Sequence, residues 1–396
     1  MYFTILDSVA DLPAPIGHYD ANVFPDNSSW YSTFEQFVGS KNVEMLFGYC
    51  CGSTGSSGVD GADLLAQQVS VEHFNGDQGS ICQKNQVQPE YPVHCEAGSV
   101  LLPLYRSKVA WGIKRLTSLE NYYSVDFRPL CSSITAHQYL HSLLNHVLQS
   151  ESPHVLQLKG VDLDAPEAGV ILDALKILGW QPYLRVHQVN WVHDLIGGYD
   201  DYIASRPGRL RSTLRRKTAK LWKLPNVQLT VHDGQHDLDQ LLKAYQRIYD
   251  HSWKVPEPHR QFVPQLISDC AKAGHLRLGL LNIEGKPVAT HFWIVKNGTA
   301  YIYKLAHDTH FDHYSPGTLL MAHMVKHVME KDNVNRLDFL SGDDAYKRDW
   351  MTLRREKFEI TAFNPSSPIA QAKRLKDQHL LPIVKRLALR VIKLAK

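Results

Sequence analysis

The chain has no run of about 18 uncharged apolar residues, so no segment reads as a membrane-spanning helix. Its first residues, Met1-Tyr2-Phe3-Thr4-Ile5-Leu6-Asp7, lack the basic and apolar stretches of a secretory leader, and the expected compartment is the cytoplasm. Cysteine is scarce. Six in 396 residues, with Cys50 and Cys51 adjacent, exclude a disulfide framework and fit reduced thiols. Cys82 and Cys95 lack the spacing of a zinc ribbon, and the Gly/Ser run at 52–58 is not followed by the Gly-Lys-Ser/Thr of a P-loop. A net charge of +3 is too small to imply a DNA-binding protein. What is present is globular: 44% hydrophobic, 21% charged and 10% aromatic residues, enough for cores that stand without disulfides. The length suggests two units of similar size.

Periodicity predicts a mixed α/β chain in which strand-like and helix-like runs alternate. Strands are expected at 100–105, 109–115, 122–127, 155–158 and 186–191, with helices at 135–149 and 165–178. The second half reads as strand 227–231, helices 238–250 and 261–272, strands 276–282, 287–296 and 299–306, helix 316–330, and strands 336–340 and 357–363. Glu284-Gly285 and Asn297-Gly298 are good two-residue hairpin turns. A helical pattern is also expected near 30–38. The Gly-rich and polar stretches around 50–98 read as an irregular insertion.

Two segments are strongly basic. From Tyr199 to Leu224 a helix is expected with Arg206, Arg209, Arg211, Arg215, Arg216, Lys217, Lys220 and Lys223, and with no acid after Asp201. Such a one-signed face is either a solvated surface or a site for an anion. The tail 371–396 interleaves Lys and Arg with Leu, Ile and Val. It either packs on the body or lies peripherally on an anionic membrane.

The run from Tyr301 to Trp350 carries the most chemistry. Ser315 suits an N-cap, Pro316 the first helical position, and the helix start that follows presents backbone N–H groups suited to a phosphate. The next strand leads through Asp338 into a loop with Tyr346 and Lys347. Asp338, set among Leu337, Phe339 and Leu340, is either a base with a raised pKa or a buried cap on its loop. His291, on an expected central strand, is another candidate proton acceptor. Tyr346 is a general acid or a packing residue. The Lys347 ammonium would bind a phosphate or carboxylate. His310, His313, His323 and His327 have no Glu or Cys completing a metal set, so no metal is expected.

These pieces resemble the GNAT acyltransferase superfamily, specifically its Fem-like double-GNAT branch with the CelD-like acetyltransferases of cellulose and exopolysaccharide operons. The resemblance rests on His251-Ser252-Trp253-Lys254, Gly285-Lys286-Pro287-Val288-Ala289, Ser315-Pro316-Gly317-x-Leu319-Leu320 and Asp338-Phe339-Leu340-x-Gly342-x-x-x-Tyr346-Lys347-x-x-Trp350, with the basic Leu214-Arg215-Arg216-Lys217 segment upstream. It covers most of residues 20–365 and is dense after Arg209. It implies two tandem GNAT-like domains with mixed central sheets flanked by helices: an acceptor-side unit at 1–195, a basic linking helix at 196–226, an acyltransferase unit at 227–366 and the tail at 367–396. It implies direct transfer from acetyl-coenzyme A to an amino or hydroxyl group of a sugar, polysaccharide or lipid-linked precursor. Ser315, Gly317 and Thr318 would hold the donor. Asp338, His291 and Tyr346 would serve proton transfer, and Trp253, Lys254, Lys347, Trp350, Arg215 and Arg216 would contact the acceptor. The common Gly-x-Gly phosphate loop of the superfamily is absent. Aminoacyl transfer from tRNA, as in Fem-type relatives, and a non-catalytic scaffold binding an anionic polymer or membrane are therefore the alternatives.

Overall fold

The computed structural model describes residues 2–6, 44–51, 99–109, 112–120, 122–124, 127–131 and 139–380. The expected helix near 30–38, most of the 50–98 insertion and the tail beyond Leu380 lie outside them.

In chain order the first half contributes β1 (Tyr2–Leu6), β2 (Glu44–Cys51), β3 (Ser99–Val109), β4 (Ile113–Ser118), β5 (Leu130–Cys131), helix α1 (Leu140–Glu151), β6 (Val155–Val161), α2 (Pro166–Ile177) and β7 (Pro182–Asp194). Two helices follow, α3 (Tyr199–Ala204) and α4 (Gly208–Leu221). The second half continues with β8 (Val227–His232), α5 (Leu238–Asp250), α6 (Phe262–Lys272), β9 (Leu276–Ile283), β10 (Lys286–Lys296), β11 (Thr299–His307), a 3-10 turn (Thr309–Tyr314) and α7 (Pro316–Glu330). It ends with β12 (Arg336–Ser341), the one-turn α8 (Lys347–Trp350), β13 (Leu353–Phe363) and α9 (Pro368–Leu375).

Thirteen strands form one mixed sheet in the order β1-β2-β3-β4-β6-β13-β7-β12-β11-β10-β9-β8, with β5 beside β3. The last strand, β13, returns to insert between β6 and β7 of the first half, so both halves share the sheet. Helices α1 and α2 pack on the first-half strands through Leu140, Leu143, Leu144, Val147, Ile171 and Leu175. In the second half, α5 and α6 cover one face through Leu241, Tyr245, Phe262 and Leu266. The other face is covered by α7, α3 and α4 through Leu320, Met324, Tyr202, Leu210 and Leu214. The fold is mixed α/β, a large mixed sheet flanked by helices.

Three local departures from the sequence reading have physical causes. The helix expected from Tyr199 to Leu224 is broken between α3 and α4, because Pro207 disfavours helical backbone in the residue before it. Residues 122–124 form a turn rather than a strand, and Phe127 makes only an isolated bridge to Val161. Strand β13 starts at Leu353, earlier than its apolar run, because Arg354, Arg355 and Glu356 also pair with β7. Both hairpin turns formed as expected, with positive φ at Glu284, Gly285, Asn297 and Gly298. The tail begins as α9, whose Ala370 is buried against Val155 and Phe363.

The relationship that shapes the site is between β11 and β12. They pair in parallel only at Thr299–Tyr301 with Arg336–Asp338, and beyond that they no longer form a ladder. Within the same stretch β12 carries an irregularity between Asp338 and Ser341, and Leu340 adopts φ 54°, which few non-glycine residues tolerate.

Candidate active site: two cavities meeting at a splayed strand pair

Two cavities open where β11 and β12 part. The first, of about 570 Å³, is lined by Arg209, Leu210 and Thr213 of α4, Trp253 and Lys254 after α5, His291 of β10, Leu305 to His307 of β11, Gly317, Thr318 and Met321 of α7, and Ala345, Tyr346, Asp349 and Trp350. The second, of about 590 Å³, lies towards the first half. Its walls include Glu120, Tyr122, Tyr123, Lys159, Gln188, Tyr303, Lys304, Ser341, Asp344 and Lys347. Lys254, Leu305 and Tyr346 line both. They form the common wall.

The α7 start opens onto the first cavity. Ser315 stands at the cap position in a left-handed conformation, and its side chain makes no capping hydrogen bond. Pro316 has no N–H, and the Leu319 N–H is taken by the Ser315 carbonyl. The N–H groups of Gly317 and Thr318 are thus left uncapped by Ser315, at the positive end of a 15-residue helix dipole. Gly317 and Thr318 line this cavity; Ser315 itself does not. Glycine at 317 allows a close approach: a Cβ there would sit 3.2 Å from Nδ1 of His307, which would have to shift by a few tenths of an ångström. The His307 ring is held on its other sides by Asp312, 2.7 Å from Nε2, and by the Trp253 ring at 4.5 Å between centroids.

Helix α4 flanks this helix start. Lys217 donates to the His313 carbonyl at 2.6 Å, Lys220 lies over the Tyr314 ring, and Arg209 is ion-paired with Asp349. Helical spacing sets Arg216 on the stripe with Arg209 and Lys220, whereas Arg215 lies off it. Both Arg215 and Arg216, expected from sequence to contact the acceptor, are exposed, and neither lines either of these two cavities.

His291 is buried at 1% exposure on the wall of the first cavity, and its Nδ1 has no hydrogen-bond partner. Burial, then the nearby His307 and Lys254, lower its pKa to about 3. It is a neutral imidazole at neutral pH, able to take part in a hydrogen bond but a poor reservoir for a proton. As the general base expected from sequence it would be a weak one.

Asp338 lines neither cavity. Its Oδ1 accepts from the Asn190 side-chain amide and from the Leu340 N–H, each at 2.7 Å, and Asn190 also donates to the Leu340 carbonyl. The carboxylate therefore fixes the left-handed turn at Leu340, which is the capping alternative raised from sequence. Lys347 differs likewise from expectation. It is 4% exposed. Its Nζ donates to the carbonyls of Phe339 and Ser341, with Asp344 at 3.7 Å. It staples the loop after β12 rather than offering a free cation. Gly342, at φ 117°, lets this happen: a Cβ there would meet Lys347 Nζ at 3.0 Å.

Lys254 is the contrasting cation. Among the described residues its ammonium makes neither an ion pair nor a hydrogen bond, and it lies 5.8 Å from the Trp253 ring centroid. Burial, then repulsion from Lys304, lower its pKa. Lys304 itself is buried and paired with Glu257 at 2.9 Å inside a cage of Tyr122, Tyr123 and Tyr303. Tyr346 packs edge-on against Phe339 with 45% of its surface exposed, and the burial of the rest raises its phenol pKa. Trp350 is buried; its carbonyl accepts from the Tyr202 hydroxyl and from Arg206, both at 2.8 Å, fixing the floor of the first cavity. Sequence reading missed His307, Lys304 and the tyrosine cage, and named Arg209 only as one cation of the basic segment. A signal existed for His307 alone, the last residue of a strand running into a helix start.

Residues 208–348 match the acetyltransferase (GNAT) domain family. That match supports an acyltransferase. No curated protein matches its sequence. Among solved structures it is similar to FemX, at 13% identity and a TM-score of 0.48 over 69% of this chain and 86% of that one. It is similar to L-PGS from Bacillus licheniformis, at 11% identity and 0.42 over 70% and 84%. A tandem GNAT protein from the clavulanic acid biosynthesis pathway is similar at 11% and 0.42, over 92% and 99%. The acyltransferase match spans α4 to the first residues of α8, and so contains the first cavity's α4, β10, β11 and α7 walls.

Proposed function

We propose that the enzyme transfers an acyl group directly from acetyl-coenzyme A to an amino or hydroxyl group of a polar, sugar-class acceptor. The single observation that carries this reading is the common wall of Lys254, Leu305 and Tyr346 between the two cavities. A thioester held in the first cavity and a nucleophile held in the second would meet there and nowhere else among the described residues.

Donor binding is supported by the uncapped start of α7, the Gly317 approach and the cationic flank of α4, which together suit a pyrophosphate. The apolar residues Leu210, Leu305 and Met321 suit the less polar arm of the carrier. The second cavity's Tyr122, Tyr123, Tyr303 and Tyr346 supply rings and hydroxyls that suit a sugar.

The reaction would run by attack of the acceptor nitrogen or oxygen on the thioester carbonyl, forming the new C–N or C–O bond and breaking the C–S bond. Lys254 would stabilise the negative charge growing on the carbonyl oxygen, since no acid of the described protein neutralises it. Tyr346, held protonated, would give its proton to the departing thiolate and regain one from the acceptor. Asp338 and Lys347 would act at one remove, by fixing the backbone of residues 339–342. Measuring thiol release from acetyl-coenzyme A across a set of amino sugars tests the reading. Acceptor-dependent release supports it; release from none, with no binding of the donor, contradicts it.

A further inference from the structure

We infer that the acceptor carries a phosphate or carboxylate, held by Lys159 on the side of the cavity opposite the reacting group. This rests on the transferase reading, because it takes the second cavity as the acceptor site.

The inference comes from accounting for every charged group on that cavity. Four lysines line it: Lys159, Lys254, Lys304 and Lys347. Lys304 is neutralised by Glu257 at 2.9 Å. Lys347 is spent on two carbonyls, with Asp344 nearby. Glu120, the remaining acid of the lining, lies 3.5 Å from His187. Lys254 stands at the common wall, where the proposed chemistry uses it. Lys159 is left: half-buried, with no ion pair or side-chain hydrogen bond among the described residues. An anionic group on the acceptor would supply the counter-ion that the described residues do not.

Its place in the sheet gives the direction. Lys159 is on β6, four positions from β11 in the strand order. At about 4.8 Å per strand that is roughly 19 Å along the sheet. Lys159 lines only the second cavity, and Leu305 of β11 forms the common wall. The anion therefore lies across the acceptor from the nucleophile. Gln188 of β7 and Ser124 also line this cavity and are uncharged, so neither supplies Lys159 with a counter-ion.

Calorimetric titration without any acyl donor tests the site by binding alone. Glucosamine, glucosamine 6-phosphate and muramic acid serve as the uncharged-substituent, phosphate and carboxylate probes, on wild type, Lys159→Gln and Lys159→Arg. The expected result is about tenfold tighter binding of one or both anionic sugars than of glucosamine. The preference should vanish in Lys159→Gln and persist in Lys159→Arg, which also controls for folding. Which anionic sugar gains tells phosphate from carboxylate. Equal binding of all three, no binding of any, or a preference unchanged in Lys159→Gln overturns the inference. Acetyl-coenzyme A titrated into the same wild-type sample reports on the donor cavity separately, so failure of the transferase reading is visible on its own.

Discussion

His307 lies so close to Gly317 that a Cβ at 317 would fall 3.2 Å from its Nδ1, while Asp312 holds the far nitrogen at 2.7 Å. The ring cannot retreat without losing Asp312 or its contact with Trp253. Gly317→Ala is thus expected to disturb the α7 start specifically. Overpacking of this kind costs on the order of 1–3 kcal/mol, so the KM for the acyl donor should rise about tenfold with kcat little changed. Steady-state kinetics check it. An unchanged donor KM would remove this helix start from the donor site.

Asp338 is the strongest test of positioning against chemistry. Asp338→Ala removes acceptors for Asn190 and for the Leu340 N–H, and should cost about 1–3 kcal/mol of stability. Asp338→Asn, which keeps an oxygen acceptor, should lose less. Thermal unfolding measures both. If Asp338→Asn unfolds like wild type but is inactive at every pH, the carboxylate takes part in proton transfer after all.

The buried imidazole of His291 makes an acid-limb prediction. Its folded pKa, about 3, lies below the ordinary 6.5 because burial, and then His307 and Lys254, oppose the charged form. Between those values the unfolded chain binds the additional proton, so stability is lost as pH falls from about 6.5 towards 3 and is fully present above. One such site contributes a slope of up to about 1.4 kcal/mol per pH unit. Denaturant titrations at several pH values should show a shallower acid limb for His291→Gln than for wild type. Equal slopes would mean that His291 is protonated in the folded state.

Lys254→Met should leave donor binding within a fewfold of wild type and lower kcat about a hundredfold, the usual scale for losing one donor to a developing oxyanion. Because burial and Lys304 lower the Lys254 pKa, the alkaline loss of activity should come below the ordinary lysine value of 10.5. Loss of donor affinity with kcat preserved would assign Lys254 to holding the carrier instead.

Much of the fold was legible because it rests on local signals. The helix at Pro316–Glu330 and the β9–β10–β11 hairpins carry proline, glycine and periodic apolar residues at the positions that define them. The insertion of β13 between β6 and β7 was not legible, since strand pairing across about 200 residues leaves no periodic trace. The site divides the same way. Gly317, Thr318, Trp253, Lys254 and Tyr346 were named from motifs and do line the cavities. Lys347 and Asp338 came from the same motif as Tyr346, yet what they do depends on which backbone groups the Leu340 turn brings to them. Lys159 and Lys304 were overlooked because a lysine's meaning lies in whether an acid reaches it, which only the packed structure decides.

The account turns on the two cavities serving one transfer. The most direct measurement is a structure of the chain bound to acetyl-coenzyme A. The predicted result is the pyrophosphate on the Gly317 and Thr318 N–H groups and the thioester between Leu305, Lys254 and Tyr346. A carrier bound elsewhere, or with its thioester away from that shared wall, would contradict it.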